Sequence, residues 1–273
     1  MMARGMTSFF KKLLQHRVLQ DISFLTMAAW VSQALLLYRS YLIPDGLGPE
    51  GYGIWRITTL ILFYCTFTHL GTVEGFQREA PLLRGQGNDG LARIVGETTW
   101  SFWNLMSLVA MGCLIGYAFL TRYRHDPVLT HCLYLTAPLL LQQSISYFLS
   151  ARLCTEIRFT PVSISMLLNA VANVLGIWVL QFLRQFTVLN TLWIFFCANC
   201  LTIGYLSWHA RFQWLAPIQF RILRRLVSMG FPITLFLVLC NTLTTVDQWL
   251  VLKLRGATEM GIYGLGFSLM MIL

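Results

Sequence analysis

Charge is scarce in this sequence. Only 11% of its 273 residues are Asp, Glu, Lys or Arg, under half of the roughly 25% usual in soluble domains. Acid is rarer still, with 11 Asp and Glu against 20 Lys and Arg. Because 56% of the residues are apolar, a chain of this length has far more apolar surface than one water-facing core can hide, and an ordinary soluble enzyme is excluded. No compact basic patch exists either. The basic residues lie singly or in small groups between long uncharged stretches, so the net charge of +9 belongs to turns and gives no footprint for nucleic acid. A disulfide framework is missing too, since seven cysteines, an odd number, are scattered through apolar sequence. Cys197 and Cys200 form a C-x-x-C without a second ligand pair, and read as buried residues of an apolar helix rather than a redox or zinc site. The phosphate-loop pattern G-x-x-x-x-G-K-[ST] occurs nowhere, which excludes that kind of ATPase. Gly85, Gly87, Asn88, Asp89 and Gly90 read instead as part of a flexible turn from Phe76 to Arg93.

What is abundant is uninterrupted apolar sequence. Crossing a hydrocarbon layer of roughly 30 Å takes roughly 20 residues whose backbone groups are satisfied within one helix. Seven segments meet that need: Ile22 to Ile43, Tyr52 to Val73, Ile94 to Leu120, Val128 to Ala151, Pro161 to Leu183, Leu189 to His209 and Val227 to Leu252. An eighth begins near Gly261 and is cut off at Leu273. The expected fold class is all-α, a polytopic transmembrane helix bundle. Arg4, Lys11, Lys12 and Arg17 precede the first segment, which is too long for the apolar core of a signal peptide, so residues 1–20 read as a basic cytoplasmic lead-in. Thirteen of the twenty Lys and Arg fall on the side of that lead-in and seven on the other, which predicts an N-terminus inside the cell. Trp55, Trp100, Trp193, Trp208, Trp214 and Trp249 lie near expected helix ends, where an indole reaches the headgroups. Trp30 and Trp178 lie deeper, as packing or lipid-facing residues.

Sliding the chain by 208 residues places Gly48, Gly53, Ile54 and Trp55 on Gly256, Gly261, Ile262 and Tyr263. Both copies close one span and open the next. Six spans separate them, an even number, so both have the same orientation, as in parallel-repeat transporters. The expected organisation is a first lobe over residues 21–209, a cytoplasmic linker over 210–227, and the start of a second lobe over 228–273.

The segment Leu47-Gly48-Pro49-Glu50-Gly51-Tyr52-Gly53, with Ile54-Trp55, His69-Leu70-Gly71 and Arg78-Glu79, resembles Wzx-type polysaccharide flippases of the multidrug/oligosaccharidyl-lipid/polysaccharide exporter superfamily. The resemblance runs over essentially the whole chain. It departs at His69, where the family often has Asp, and in length, since the family has more helices than the eight begun here, so the chain is expected to be truncated. The resemblance implies a multi-pass protein of the bacterial inner membrane that is not an enzyme and needs no cofactor. Its implied partners are a lipid-linked oligosaccharide, membrane lipids and other polysaccharide-assembly proteins, for O-antigen, capsule or exopolysaccharide. A multidrug or ion antiporter of the same superfamily, a membrane-embedded O-antigen polymerase or acyltransferase, and an inactive fragment are the competing readings.

Ionisable groups inside apolar spans are costly and become functional candidates by default. Arg39 and Asp247 occupy equivalent positions under the 208-residue shift and are candidates for an outer gate, with Arg39 suited to contact a diphosphate. Arg56 is a further substrate or gate candidate. His69, Glu74 and Glu97 lie at similar depth near the cytoplasmic side and are candidates for coupling-ion binding, against a structural role in pairing with Arg78 or Arg93.

Overall fold

A computed structural model describes the backbone of residues 2–123, 126–210 and 217–270, and the side chains of residues 19–123, 126–210 and 217–267. The side chains of the basic lead-in, with Arg124, Arg211 and Trp214, lie outside the described residues. Among those described, every regular element is helical: α1 (Met2–Cys65), a 3-10 turn (Thr66–His69), α2 (Thr72–Gly85), α3 (Asp89–Thr121), α4 (Pro127–Thr155), α5 (Phe159–Phe182), α6 (Val188–Ala210), α7 (Phe220–Arg255) and α8 (Ala257–Met270).

Five segments are long and apolar enough to cross a membrane: Leu19–His69, Asp89–Thr121, Phe159–Phe182, Val188–Ala210 and Phe220–Arg255. Of the seven spans read from sequence, the first two are the two helices of the Leu19–His69 segment, which meet at Gly48, whose φ of 68° and ψ of 175° are not helical. That conformation is essentially restricted to glycine, and Pro49 just after it has no amide hydrogen to lose. The fourth, α4, is long enough but falls short in apolarity, and it packs against α1, α3, α5 and α6. Enclosure by neighbours removes the need for an apolar surface all round, so α4 carries polar groups that a lipid-facing helix would not tolerate.

A second correction concerns residues 76–93, read as a flexible turn. Residues through Gly85 belong to α2, and only Gln86 to Asn88 separate it from α3. Val73, Phe76 and Ala80 recur at helical spacing and bury one face of α2 against Val95, Trp100, Trp103, Phe148 and Leu226. Gln77, Arg78 and Arg84 on the remaining surface disguise this amphipathic pattern.

The bundle has two ends. At the kink end, Leu42, Ile43, Tyr52 and Trp55 of α1 pack with Cys132 and Leu135 of α4, Ile177 of α5 and Leu192 of α6. At the far end, Leu149 and Leu153 of α4 pack with Val162 of α5 and Leu206 of α6. Burying these side chains excludes both water and lipid there and fixes the helix spacing.

The two copies of the glycine motif meet. A methyl group on Gly53 would stand 1.8 Å from the carbonyl oxygen of Ala257, and one on Gly261 would stand 1.9 Å from that of Pro49. Pro49 and Ala257 are themselves 208 residues apart, so the contact is reciprocal, as across a two-fold axis. Gly256, the counterpart of Gly48, repeats its backbone with φ 89° and ψ −173°. Gly53→Ala and Gly261→Ala are expected to destabilise the protein by similar amounts, roughly 1–3 kcal/mol each from overpacking. Their combination should cost less than the sum, because one displaced seam relieves both. Gly112 has open space around its missing methyl, and Gly112→Ala should be harmless. Thermal unfolding in detergent measures all four variants. A large loss for one seam glycine and none for the other contradicts the reciprocal contact.

A candidate binding cavity and the ionisable groups around it

A cavity of about 660 Å³ opens in the far half of the bundle, bordered by α1, α2, α4, α5 and α6. One stripe of α4 forms a wall with Gln143, Ser146, Tyr147 and Ser150, residues three and four apart that share a helix face. From α5 come Ser165 and Asn169, from α6 Asn199 and Thr202, from α1 Ser32 and Gln33, and from α2 Gln77. Among the described residues, no Asp, Glu, Lys, Arg or His lines it. The volume lies in the range of about 300–1,000 Å³ typical of small-molecule sites.

An amide ladder stiffens its inner wall. Asn173 donates to the Asn169 side-chain oxygen at 3.0 Å and to its backbone oxygen at 2.8 Å. The Asn169 amide in turn donates to Asn199 Oδ1 at 3.0 Å and Thr202 Oγ1 at 3.2 Å. Ties between side chains on different helices hold polar groups in fixed directions where the surroundings are apolar. Ser32 Oγ is buried with no protein partner, an oxygen in the cavity wall whose hydrogen-bonding capacity is unused. Such a wall presents hydroxyl and amide groups at fixed positions.

The sequence drew attention to charge instead. Arg39 lies with its guanidinium carbon 4.5 Å from the centre of the Phe195 ring on α6, a cation–π contact, and its Nε has no hydrogen-bond partner. Asp247 accepts from the Tyr263 hydroxyl and from the Gln248 amide at 2.8 Å, so no ion pair joins Arg39 to Asp247 in this conformation. Arg56 reaches across to α7 and donates to Gln248 Oε1 at 2.7 Å, next in sequence to Asp247. Its side chain passes over Gly264, whose missing methyl would stand 3.0 Å from Arg56 Nε. Residues 56 and 264 are again 208 apart.

His69 and Glu74 do meet, with His69 Nδ1 3.2 Å from Glu74 Oε2. Glu97 stays apart from them and pairs with Arg93 at 2.7 Å on its own helix. The Gly71 amide donates to the same His69 Nδ1 at 3.1 Å. That nitrogen therefore carries no hydrogen, and the facing carboxyl oxygen can bond to it only by bringing a proton of its own. Burial pushes the Glu74 carboxyl above its ordinary value, which favours that protonated form. The remaining expectations divide. Trp30 and Trp178 are 74% and 56% exposed and line no part of the cavity. Cys197 and Cys200, read as buried, are on the exposed side of α6; helix amphipathicity is too weak there for sequence to tell the bundle face from the outside.

A carboxyl raised on folding binds more protons folded than unfolded, so its contribution to stability is full below about 4.5, the ordinary value, and is lost as pH rises through the raised one. Wild-type protein in detergent should lose melting temperature on raising pH through that window. Glu74→Gln, which keeps a hydrogen at that position permanently, should flatten the dependence; an unchanged pH profile contradicts the protonated contact.

Comparison with known proteins gives one match. The model of a family described as polysaccharide biosynthesis protein covers residues 47–273. Neither the curated proteins nor the solved structures gave a significant match. The matched region runs from the kink motif through the cavity-lining helices α4, α5 and α6 to the end of the chain, and the chain belongs to this polysaccharide biosynthesis protein family.

Proposed function

We propose that the protein is an exporter that moves an undecaprenyl-diphosphate-linked oligosaccharide from the cytoplasmic to the periplasmic leaflet of the bacterial inner membrane, as Wzx-type flippases do. The observation that carries this reading is the hydroxyl- and amide-lined cavity set within apolar helices. A sugar cannot cross hydrocarbon without shedding its hydration, and a wall of Ser, Thr, Asn and Gln replaces that hydration group by group. The prenyl tail stays in lipid throughout. No covalent step is required, so the protein acts as a transporter and not as an enzyme.

In this reading the far end of the bundle faces the cytoplasm, in keeping with the basic excess there, and the N-terminus is cytoplasmic. The kink end is the closed outer side, held by the Gly53–Gly261 seam, by Arg56 on Gln248 and by Tyr263 on Asp247. Arg39 keeps its charge without an acidic partner and is available to the diphosphate when the outer side opens. Residues 21–209 act as one lobe and 228–273 as the opening of the next. The His69–Glu74 contact favours proton coupling, and it also supports the second reading, an ion-driven antiporter for small amphiphiles.

Complementation separates the two. In a strain lacking its own flippase, the wild-type gene is expected to restore surface polysaccharide. Asn169→Leu and Arg39→Ala should each reduce it by roughly tenfold, the scale of one hydrogen bond to the substrate. Full-length protein present in the membrane with no polysaccharide restored, together with raised drug resistance, would favour the antiporter.

A further inference from the structure

The cavity sets hydroxyl and amide groups in a largely apolar wall, with no charged side chain among its described lining residues, and that combination discriminates between sugars. We infer that it admits an uncharged sugar unit and rejects one bearing a carboxylate, with Asn169 and the α4 stripe as the specificity-determining groups. The inference rests on the proposed function and narrows its substrate class.

A pyranose hydroxyl both donates and accepts, so a neutral sugar can donate to Asn169 Oδ1, whose amide hydrogens are engaged by Asn199 and Thr202, and find further partners at Asn199 and Ser32. Ser32 Oγ has a hydrogen-bonding capacity to fill. The Tyr147 ring lines the same cavity and meets Trp103 edge-on at 5.6 Å, which fixes a flat apolar face against which the C–H face of a sugar ring can lie. A carboxylate entering the same space loses its water and meets no cation among the described lining residues, which include no Lys, Arg or His. The amide and hydroxyl donors present there are already partly used within the protein, as in the Asn169 to Asn199 bond. An unpaired charge in such surroundings is excluded far more strongly than a hydroxyl is attracted.

Positive charge is found at the rim instead. Arg152, Arg84 and Arg158 converge on Glu156 at 3.1, 3.4 and 3.9 Å, two residues beyond Cys154, the last cavity residue of α4. Three guanidiniums around one carboxylate leave an excess of positive charge. The anionic part of a substrate is thus retained at the mouth while its neutral part enters.

Cys154 offers a local readout. The full chain is prepared with Cys154 as its only cysteine, reconstituted in phosphatidylcholine nanodiscs, and alkylated with N-ethylmaleimide in the presence of octyl β-glucoside or octyl β-glucuronide. The two probes differ only in a C6 hydroxyl against a carboxylate. The glucoside is expected to slow alkylation at least tenfold more than the glucuronide at equal concentration. Ser146→Lys, placed in the wall but outside the amide ladder, should let the glucuronide protect. Asn169→Leu, checked for folding by its melting curve, should abolish protection by the glucoside. Equal protection by both probes overturns the charge selection. Protection by a sugar-free octyl ether equal to that by the glucoside, or no protection by either sugar, overturns sugar recognition in the cavity. Failure of Ser146→Lys to admit the glucuronide, while still binding the glucoside, overturns its electrostatic origin. None of these readouts requires transport, so a gene that complements normally but shows no discrimination sinks this inference alone, whereas failed complementation with intact discrimination sinks the export reading alone.

Discussion

Inside an apolar medium a polar group must find its partner within the protein, and that constraint organises this molecule. Backbone groups meet it by lying in long helices, with the break within α1 confined to Gly48. Side chains meet it in three ways. Hydroxyls return to their own helices, as Thr202 does to Ala198 at 2.8 Å. Amides tie neighbouring helices together through the Asn173, Asn169 and Asn199 ladder. Arg39 settles on an aromatic face. Ser32 Oγ, left without a partner, borders the cavity, where a polar guest can supply the missing hydrogen bond.

A second constraint is close approach. Two helices whose backbones nearly touch need glycine at the crossing, and the chain supplies it at Gly53 and Gly261 in equivalent copies of one motif. The crossing brings α8 onto α1 and places Arg56 over Gly264, within reach of Gln248 on α7. A further pair, Gly71 and Gly230, brings α7 onto the turn before α2, where a methyl on Gly230 would stand 1.8 Å from the Gly71 carbonyl oxygen. The stretch from Pro49 to Gly71 is thereby joined at both ends to α8 and α7 through backbone contacts that tolerate no larger residue.

Much of the fold was legible in the sequence because long apolar runs leave a helix few alternatives. The glycine motif also marked where the first span closes and the second opens, which is where Gly48 breaks the helical run. The amphipathic α2 escaped notice because its buried positions, Val73, Phe76 and Ala80, alternate with Arg and Gln in a stretch dense with turn-forming residues. Charge dominated the search for a site, and the equivalence of Arg39 and Asp247 suggested a contact. In this conformation the symmetric crossing sits at residues 53 and 261, and Asp247 is engaged by Tyr263. The neutral cavity was visible in principle. Gln143, Ser146, Tyr147 and Ser150 recur at helical spacing in an otherwise apolar segment, and a polar stripe on a helix bound for the membrane signals a guest as clearly as a charge does. The ladder from Asn169 to Asn199 was not readable, since only tertiary packing brings α5 and α6 into that register.

The transport reading requires a cavity open to water inside a bundle whose outer face meets lipid. It is tested most directly by placing single cysteines at Ser150, in the cavity wall, and at Leu175, which is 59% exposed on the outer surface of α5, in an otherwise cysteine-free chain. Labelling with a water-soluble, membrane-impermeant maleimide is then compared in inverted and right-side-out membrane vesicles. The account predicts that Ser150→Cys is labelled in inverted vesicles alone and that Leu175→Cys, facing lipid, is labelled in neither. Labelling of Leu175→Cys as fast as Ser150→Cys, or no labelling of Ser150→Cys from the cytoplasmic side, would contradict it.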